Sequence, residues 1–493
     1  MSQTMATSTL TNPLKFLKPF ALQEKGAGDI ISFIIKGAFV IFGIVSVIFY
    51  FFSNFSSLAC PVCKEVLSNL ASAKHLEGDK TNISHILFGI GASVNSWKYR
   101  RHYSELWWEQ NSTRGFVWLD ENPNAWPETS PPYRVSEDTS KFTYTCSWGS
   151  RSAIRLSRIV LESFRLRSDN VRWFVLGDDD TVFFKENLVD VLSRYDHNQM
   201  YYIGGNSESV EQDVIHSYGL AYGGGGIALS FPLVEQLVKI LDKCIERYPE
   251  LYGSDERIRA CVAEIGVPVT RETGFHQVDI RGDPYGLLAA HPVAPLVSLH
   301  HLDAVKPMFP TGNQIDSLRS LMTAYSLDPS RTLQQSFCYN KNNKWSVSVS
   351  WGYTVQIYPS ILTAKELQTP LQTFMSWRTW QNDGPYTFNT RYMSPEACKQ
   401  PVLFFLDRAV EVGPGETRTY YKRYLHEDGI VCGLPAYAPV LAVQNVVVSS
   451  SVMETNGLNM GRRRHCSEIV KNYGGVLHIK LRKCRNGETV SPP

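Results

Sequence analysis

The sequence has no excess of charge of either sign. Its 49 lysines and arginines nearly balance 47 aspartates and glutamates, which leaves a net charge of +2 over 493 residues. This balance argues against a polycationic nucleic-acid binder, because no basic surplus is available to neutralise phosphates. Disorder along the whole chain is excluded, since 43% of the residues are hydrophobic and can build a core. At about 150 residues per domain, the length predicts two or three domains.

Long apolar runs are missing as well, with one exception at residues 30–52. About 20 apolar residues span a bilayer, and lysines are concentrated before this run. The positive-inside rule therefore predicts a cytosolic tail at 1–29, a transmembrane signal-anchor and a single-pass type II topology. A cleaved signal peptide with a weak site at 57–59 is the alternative, and the long n-region disfavours it. Residues 53–84 are polar and serine-rich, which is typical of a stem.

No cysteine precedes residue 60, and all ten lie beyond the apolar run. Their even number, together with glycosylation sequons at Asn54, Asn82 and Asn111, predicts a lumen in which disulfides form. The Cys60-Pro-Val-Cys63 segment is compatible with a redox motif or half of a zinc site. A stem disulfide within or between chains is favoured, so a homodimer through these cysteines is a further expectation. The sequence does not determine which cysteines pair.

The remaining chain falls into two parts by its pattern of secondary structure. Between residues 85 and 305, short apolar strands alternate with helical segments. This alternation predicts an α/β domain with a mostly parallel, doubly wound sheet, whose ligands bind beyond the carboxyl ends of the strands. Between 306 and 493, strict alternation at Trp345–Trp351 and further β-rich runs predict a β-rich accessory domain with disulfides.

Two motifs in the first part point to chemistry. Asp178, Asp179 and Asp180 follow an apolar strand. Aspartates often form turns or caps, but three adjacent carboxylates repel one another, and a divalent cation relieves that repulsion. This motif predicts a Mg²⁺ or Mn²⁺ site that can bridge a diphosphate. Four glycines, Gly223–Gly226, precede a helix capped by Ser230, which favours close approach of the backbone to a ligand over a flexible linker.

Two further groups have a structural interpretation beside the functional one. Asp255, at a predicted helix start, is by local sequence alone more typical of an acid favoured by the helix dipole. At such a position it is expected to stay ionised at neutral pH. His300 and His301 follow an apolar strand. Neutral imidazole binds Mn²⁺, although paired histidines after a strand are more often structural.

Together these motifs resemble the fringe-type β-1,3-glycosyltransferase family, and in particular its plant fringe-like branch. The resemblance covers roughly residues 85–305, through Asp178–Asp180, Gly223–Gly226, Ser254-Asp-Glu256 and His301-Leu-Asp303. Arg100-Arg101, followed by Trp107-Trp108, is also similar to the family's first helix. The resemblance implies a type II Golgi membrane enzyme with a metal-dependent, Rossmann-like GT-A fold and a luminal catalytic domain.

The resemblance also implies roles for individual residues. Asp180 and His301 would bind the metal, with His300 as the alternative ligand, and Asp255 would be the catalytic base. The implied donor-binding residues are Asp178, Asp179, Arg101, Gly224 and Gly225. The implied reaction is an inverting, Mn²⁺- or Mg²⁺-dependent transfer of a hexose-type sugar from a UDP-sugar to a hydroxyl of a glycan or glycoconjugate, forming a β-1,3 linkage. Gly226 stands where some relatives have an aromatic residue, and the part after Lys306 is absent from animal members.

A protein of a different class fits the same sequence. This alternative is a non-catalytic, membrane-anchored carbohydrate-binding protein with a vestigial GT-A domain. The intact aspartate triad, the candidate base and the candidate metal histidine favour the enzyme. The donor sugar, the acceptor and the linkage depend on pocket geometry that the sequence does not give.

Overall fold

The computed structural model describes residues 43–46, 80–377, 384–425, 431–453 and 465–493. The chain divides into units of residues 1–79 and 80–493, and in the first unit only the helical residues 43–46 are described. The predicted anchor at 30–52 lies outside the described residues apart from these four, and the predicted stem lies outside them up to residue 79. Within the described ranges, no helix is both long enough and apolar enough to cross a membrane.

The first part of the described chain alternates strands and helices. In chain order its elements are β1 (Ile86–Gly91), α1 (Val94–Glu105), β2 (Arg114–Leu119), β3 (Tyr133–Val135), α2 (Ser152–Arg165), β4 (Trp173–Asp178), β5 (Val182–Phe183), α3 (Lys185–Leu192), β6 (Tyr202–Gly204), α4 (Val210–Ile215), β7 (Ile227–Ser230), α5 (Phe231–Arg247), α6 (Ser254–Ile265), β8 (Val269–Arg271), β9 (Phe275–His276), β10 (Ile280–Gly282), α7 (Tyr285–Ala289) and β11 (Ser298–Leu299). Short 3-10 helices lie at Ile83–His85 and Leu302–Ala304.

Seven of these strands form a mixed sheet in the order β3-β2-β1-β4-β7-β6-β8. The pairs β2–β3, β1–β2, β1–β4 and β6–β8 are parallel, whereas β7 runs antiparallel to both β4 and β6. The predicted α/β class and the predominance of parallel pairs are confirmed. The reversed direction of strand β7 was not predicted. This reversal matters for the site, because the Gly223–Gly226 segment enters β7 beside the end of β4.

Alternating side chains of the central strands build a core on each face of this sheet. Ile86, Phe88 and Ile90 of β1 belong to one buried cluster, and Leu87 belongs to the other, with α2 and α5. Helix α2 lies close against β1, since a Cβ added at Gly89 would be 2.7 Å from Ile159 Cγ2. Both faces of β1 and β4 are thus covered, which explains their continuous apolar sequences.

The second part is rich in strands. Its elements are α8 (Gln314–Leu327), β12 (Gln335–Asn340), β13 (Trp345–Ser350), β14 (Thr354–Tyr358), α9 (Ala364–Gln368), β15 (Leu371–Gln372), β16 (Phe374–Ser376), β17 (Arg391–Tyr392), β18 (Val402–Gly413), β19 (Glu416–Arg423), α10 (Ala438–Leu441), β20 (Asn445–Ser451), β21 (His465–Tyr473) and β22 (Val476–Lys483), with 3-10 helices at Pro329–Arg331 and Ala397–Lys399. Eight strands form one sheet in the order β12-β13-β14-β18-β19-β20-β22-β21. Its pairs are antiparallel apart from β20–β22.

The two parts share secondary structure. Strand β10 of the first part pairs antiparallel with β16 of the second. Ser209 of the first part also forms an isolated antiparallel bridge with Tyr386 of the second. Residues 80–493 accordingly form one compact unit. The domain boundaries proposed from sequence, 85–305 and 306–493, stay a prediction.

Six cysteines form disulfides in the described chain: Cys244–Cys261, Cys398–Cys432 and Cys466–Cys484. Cys146 and Cys338 are buried free thiols. Cys60 and Cys63, and with them the predicted stem disulfide, lie outside the described residues.

The Cys244–Cys261 disulfide links α5 to α6, the helix whose second residue is the candidate base Asp255. Replacing both cysteines by alanine is expected to lower the free energy of unfolding by about 2–4 kcal/mol, because the unfolded chain regains the freedom that the closed loop removes. Urea unfolding of the full chain measures the loss. Cys338→Ala, which removes a buried thiol but no cross-link, is the control. Equal losses in the two variants would show that the cross-link contributes nothing.

Candidate active site

The aspartate triad lies in a tight turn at the carboxyl end of β4. Asp178 is the last residue of that strand, and its backbone N–H donates to Thr181 Oγ1 at 2.8 Å. The Thr181 hydroxyl in turn donates to the carbonyl oxygen of Gly224 at 2.8 Å. One threonine therefore ties the acidic turn to the glycine segment, so the two motifs found in the sequence are neighbours in the fold.

An arginine of α1 partly compensates the acidic charge. Arg100 Nη1 lies 3.3 Å from Asp179 Oδ1 and 3.2 Å from Asp180 Oδ2, and its Nε lies 3.2 Å from Asp303 Oδ2. The predicted donor-binding residue Arg101 instead forms an ion pair with Glu105 at 2.8 Å. The structure brings Arg100, which had no assigned role, into the cluster and leaves Arg101 outside it.

Strand pairing brings a histidine to the triad. Strand β11 pairs antiparallel with β5, with Leu299 opposite Val182, so the next residue, His300, reaches the acidic turn. His300 Nε2 lies 3.2 Å from Asp180 Oδ1 and 3.7 Å from Asp178 Oδ2. Each of these three side chains offers one metal-ligating atom, and the three atoms lie within 4.8 Å of one another.

The ring of His301, the predicted metal ligand, packs against that of His300 with centroids 3.9 Å apart, but its Nδ1 faces a different neighbour. Its backbone is left-handed, with φ 50° and ψ 26°, so the two consecutive imidazoles meet different partners. His301 Nδ1 lies 3.0 Å from Asp279 Oδ1, and its ring stacks on Trp377 with centroids 4.3 Å apart. The structure groups the alternative ligand His300 with Asp178 and Asp180. The assignment of His301 stays a prediction that only metal binding can test.

The carboxylates of this cluster stabilise positive charge, including that of His300. Burial opposes ionisation of Asp180, but His300 and Arg100 outweigh it and keep the Asp180 pKa well below its usual range. Burial also opposes the charged form of His300, while Asp180 and Asp178 raise the pKa of His300 to about 9. Burial and the neighbouring carboxylates raise the pKa of Asp178 to about 7. Two carboxylates and an imidazole are ligands that Mn²⁺ accepts, and Asp180 Oδ1 is buried without a well-aligned hydrogen bond among the described residues.

The glycine segment lies against this cluster. A Cβ added at Gly224 would lie 2.1 Å from Cε1 of His300, so the imidazole can occupy its position only because residue 224 has no side chain. The Gly225 N–H donates to Gln277 Oε1 at 2.7 Å. Gly226 has φ +99°, and its missing Cβ leaves space for the Phe183 ring. The sequence identified the segment, whereas Gln277 had no local signal.

Gly224→Ala is expected to weaken divalent-metal binding by at least about tenfold, because the added methyl group would displace His300 from the two carboxylates. Isothermal titration with Mn²⁺ measures the change. Gly223→Ala is the matched control, since its Cβ would approach the nearest atom, Asp255 Cβ, at 3.4 Å. Unchanged affinity in Gly224→Ala would exclude His300 from the metal site.

The candidate base lies at the start of α6. Asp255 Oδ2 accepts from the Gly223 N–H at 3.0 Å, and its Oδ1 accepts from the Glu256 N–H at 2.9 Å. Burial raises the pKa of Asp255, and the charge of Glu256 adds to the increase, while the two backbone N–H groups oppose it. The glycine segment thus contacts Asp255 through Gly223 and His300 through Gly224, which puts base and metal cluster at one site.

The fold and site are those of an α/β domain with an acidic turn, a group of side chains able to hold a metal ion, and a nearby carboxylate. Residues 83–282 match the family described as "Fringe-like". The predicted resemblance to fringe-type glycosyltransferases is thereby confirmed for this segment, while the plant branch stays a prediction. Residues 212–467, more than half of the chain, match the family described as "Protein of unknown function, DUF604". The chain belongs to this family.

Individual proteins resemble parts of the chain. A β-1,3-glucosyltransferase of Mus musculus is 31% identical over 158 residues, and one of Homo sapiens is 30% identical over 161 residues. Each match covers 30% of this chain, and the chain spans only 29% of either relative. Two solved structures are also similar. One is a Pyrobaculum calidifontis mannosyltransferase in complex with GDP-Man and Mn²⁺, with 12% identity and a TM-score of 0.26 over 44% of this chain and 64% of that one. The other is a glycosyltransferase involved in the glycosylation of the major capsid of PBCV-1, with 13% identity and a TM-score of 0.19 over 33% of this chain and 68% of that one.

Proposed function

We propose that this protein is an inverting, divalent-metal-dependent glycosyltransferase. It transfers a hexose-type sugar from a UDP-sugar to a hydroxyl of a glycan or glycoconjugate, in a β-1,3 linkage. The observation that supports this most is the glycine segment, which contacts the candidate base Asp255 on one side and His300 of the metal-ligating cluster on the other. The fringe-like match of residues 83–282 points in the same direction.

The residues of the site suit the steps of such a transfer. Asp178, Asp180 and His300 would hold Mn²⁺ or Mg²⁺, which supplies positive charge for the departing nucleoside diphosphate. Arg100, ion-paired with Asp179 and Asp180, adds a fixed positive charge beside the same position. Asp255 would take the proton of the acceptor hydroxyl as that oxygen attacks the anomeric carbon. The N–H groups of Gly223 and Glu256 hold both oxygens of Asp255 in place for this task.

The proposal includes the membrane topology and the compartment of the enzyme. The apolar run at 30–52 supports a single-pass type II anchor, and the sequons support a luminal catalytic part. We accordingly place the enzyme in the Golgi membrane. Cys60 and Cys63 are available in the sequence for a disulfide-linked homodimer.

The proposal is tested by screening UDP-sugars for metal-dependent thermal shift and for hydrolysis, using the full chain with and without Mn²⁺. One UDP-sugar is expected to stabilise the protein only with metal and to be hydrolysed slowly. Glycan binding without binding of any UDP-sugar would refute the enzyme and favour the carbohydrate-binding protein with a vestigial GT-A domain.

A further inference from the structure

An exposed tryptophan stands out among the tryptophans of the first part. Trp97, Trp107, Trp108, Trp118 and Trp173 are buried and Trp126 is half-buried, whereas Trp148 is 64% exposed. Its ring stacks on that of Tyr252, with centroids 4.5 Å apart and an interplanar angle of 11°. One face of the indole is therefore covered by a second ring. Burial of apolar area does not explain this position, since most of the side chain stays in contact with water.

The segment around Trp148 is fitted to Tyr252. A Cβ added at Gly149 would lie 2.0 Å from Tyr144 Oη and 2.9 Å from Tyr252 Cδ2, so the chain can pass this close only with glycine there. The Tyr144 hydroxyl donates to the carbonyl oxygen of Tyr252 at 3.0 Å. The guanidinium of Arg257 lies 5.0 Å from the centre of the Tyr144 ring. These contacts hold the two stacked rings in place, so Trp148 is not simply an isolated side chain on the surface.

Tyr252 of the stacked pair belongs to the same short segment as the candidate base Asp255. Tyr252 lies three residues before Asp255, and its N–H donates to Glu256 Oε2 at 2.6 Å. The His216 ring lies 5.3 Å from that of Tyr252 and 6.1 Å from that of Trp148. His216 Nδ1 lies 2.7 Å from Glu256 Oε1. Burial lowers the pKa of His216, but Glu256 outweighs it, so the His216 pKa is raised. A polar imidazole thus borders the platform.

We propose that Trp148 is the stacking platform for the acceptor, and that the acceptor group bound there is a pyranose ring. A pyranoside presents one face of C–H groups, which packs on the electron-rich face of an indole, and polar hydroxyls at its rim, which suit His216. Tyr252 and Asp255 belong to one short segment, and the Tyr252 N–H donates to Glu256, so the platform is joined to the helix start that holds the base. This inference rests on the proposed function, since it assigns the acceptor side of that reaction.

The test measures two quantities separately: the binding of pyranosides as acceptors, and the metal-dependent hydrolysis of the donor. Saturation-transfer NMR and intrinsic fluorescence of the full chain are titrated with methyl pyranosides of glucose, galactose, fucose and N-acetylgalactosamine. Trp148→Ala is expected to weaken binding of the preferred pyranoside about tenfold, and Trp148→Phe by less than about threefold, because phenylalanine keeps an aromatic face. With a transfer assay, the KM for the acceptor rises while metal-dependent hydrolysis of the donor stays unchanged.

Tyr473→Ala, which removes an aromatic ring that is 84% exposed on β21, is the matched control and is expected to bind like the wild type. Unchanged pyranoside binding in Trp148→Ala, or no pyranoside binding by the wild type, would overturn the platform. If the wild type binds pyranosides through Trp148 but neither binds nor hydrolyses any UDP-sugar, the platform stands and the proposed catalytic function fails.

Discussion

Asp255→Asn is expected to lower the rate of sugar transfer by about 10²–10⁴-fold, the usual contribution of a positioned general base. An asparagine oxygen can still accept the hydrogen bond from the Gly223 N–H that Asp255 accepts at 3.0 Å, so the glycine segment should keep its position. The amide is too weak a base to take the acceptor proton. Affinity for Mn²⁺ and for the donor is therefore expected to stay close to that of the wild type, which separates chemistry from binding.

Steady-state transfer and Mn²⁺-dependent donor binding, measured on the same preparation, check this expectation. Asp316→Asn is the control, because Asp316 also lies in the first turn of a helix, α8, and forms a local ion pair with Arg319. A transfer rate within about threefold of the wild type in Asp255→Asn would assign Asp255 to helix capping alone.

His300→Gln and Asp180→Asn are each expected to weaken Mn²⁺ binding by more than about 100-fold and to abolish metal-dependent activity. Loss of residues that merely orient ligands already weakens metal binding about 10–100-fold, so loss of a ligand should have a larger effect. The structure places His300 Nε2 3.2 Å from Asp180 Oδ1, which allows one ion to contact both. Isothermal titration of the full chain after EDTA treatment measures the affinity.

His301→Gln decides between the two adjacent histidines. Its imidazole is 3.0 Å from Asp279, stacks on Trp377 and packs against His300, so its loss is expected to weaken Mn²⁺ binding by about 10–100-fold, less than the loss of His300 itself. The opposite pattern, with His301→Gln abolishing metal binding and His300→Gln leaving it intact, would make His301 the ligand, as the family resemblance implied.

The sequence identified the motifs of the site but did not determine which of two neighbouring side chains lies in the cluster. The aspartate triad and the glycine segment could be found because each is a local pattern with a chemical meaning, and the structure puts them beside each other. Arg100 and Arg101 differ in direction by about 100°, since an α-helix has 3.6 residues per turn, and local sequence does not tell which of them faces the aspartates. His301 has a left-handed backbone conformation, which the sequence did not predict.

Other features depend on contacts between distant residues. Gln277 reaches the glycine segment from 52 positions away, and Trp377 stacks on His301 from a part of the chain in which no catalytic group was recognised. The reversed strand β7 is also a tertiary outcome, because its apolar sequence fits a parallel or an antiparallel neighbour equally well. Local periodicity contains none of this information.

The pairing of β10 with β16 bears on how this protein can be divided. A fragment ending at residue 305 would leave the backbone of β10 without its partner and would lose the ring that stacks on His301, so it would present an open strand edge to other molecules. The two family matches overlap at residues 212–282, across the base and the β10 strand. For expression, truncation or domain exchange, strands β10 and β16 should therefore be kept in one piece of chain.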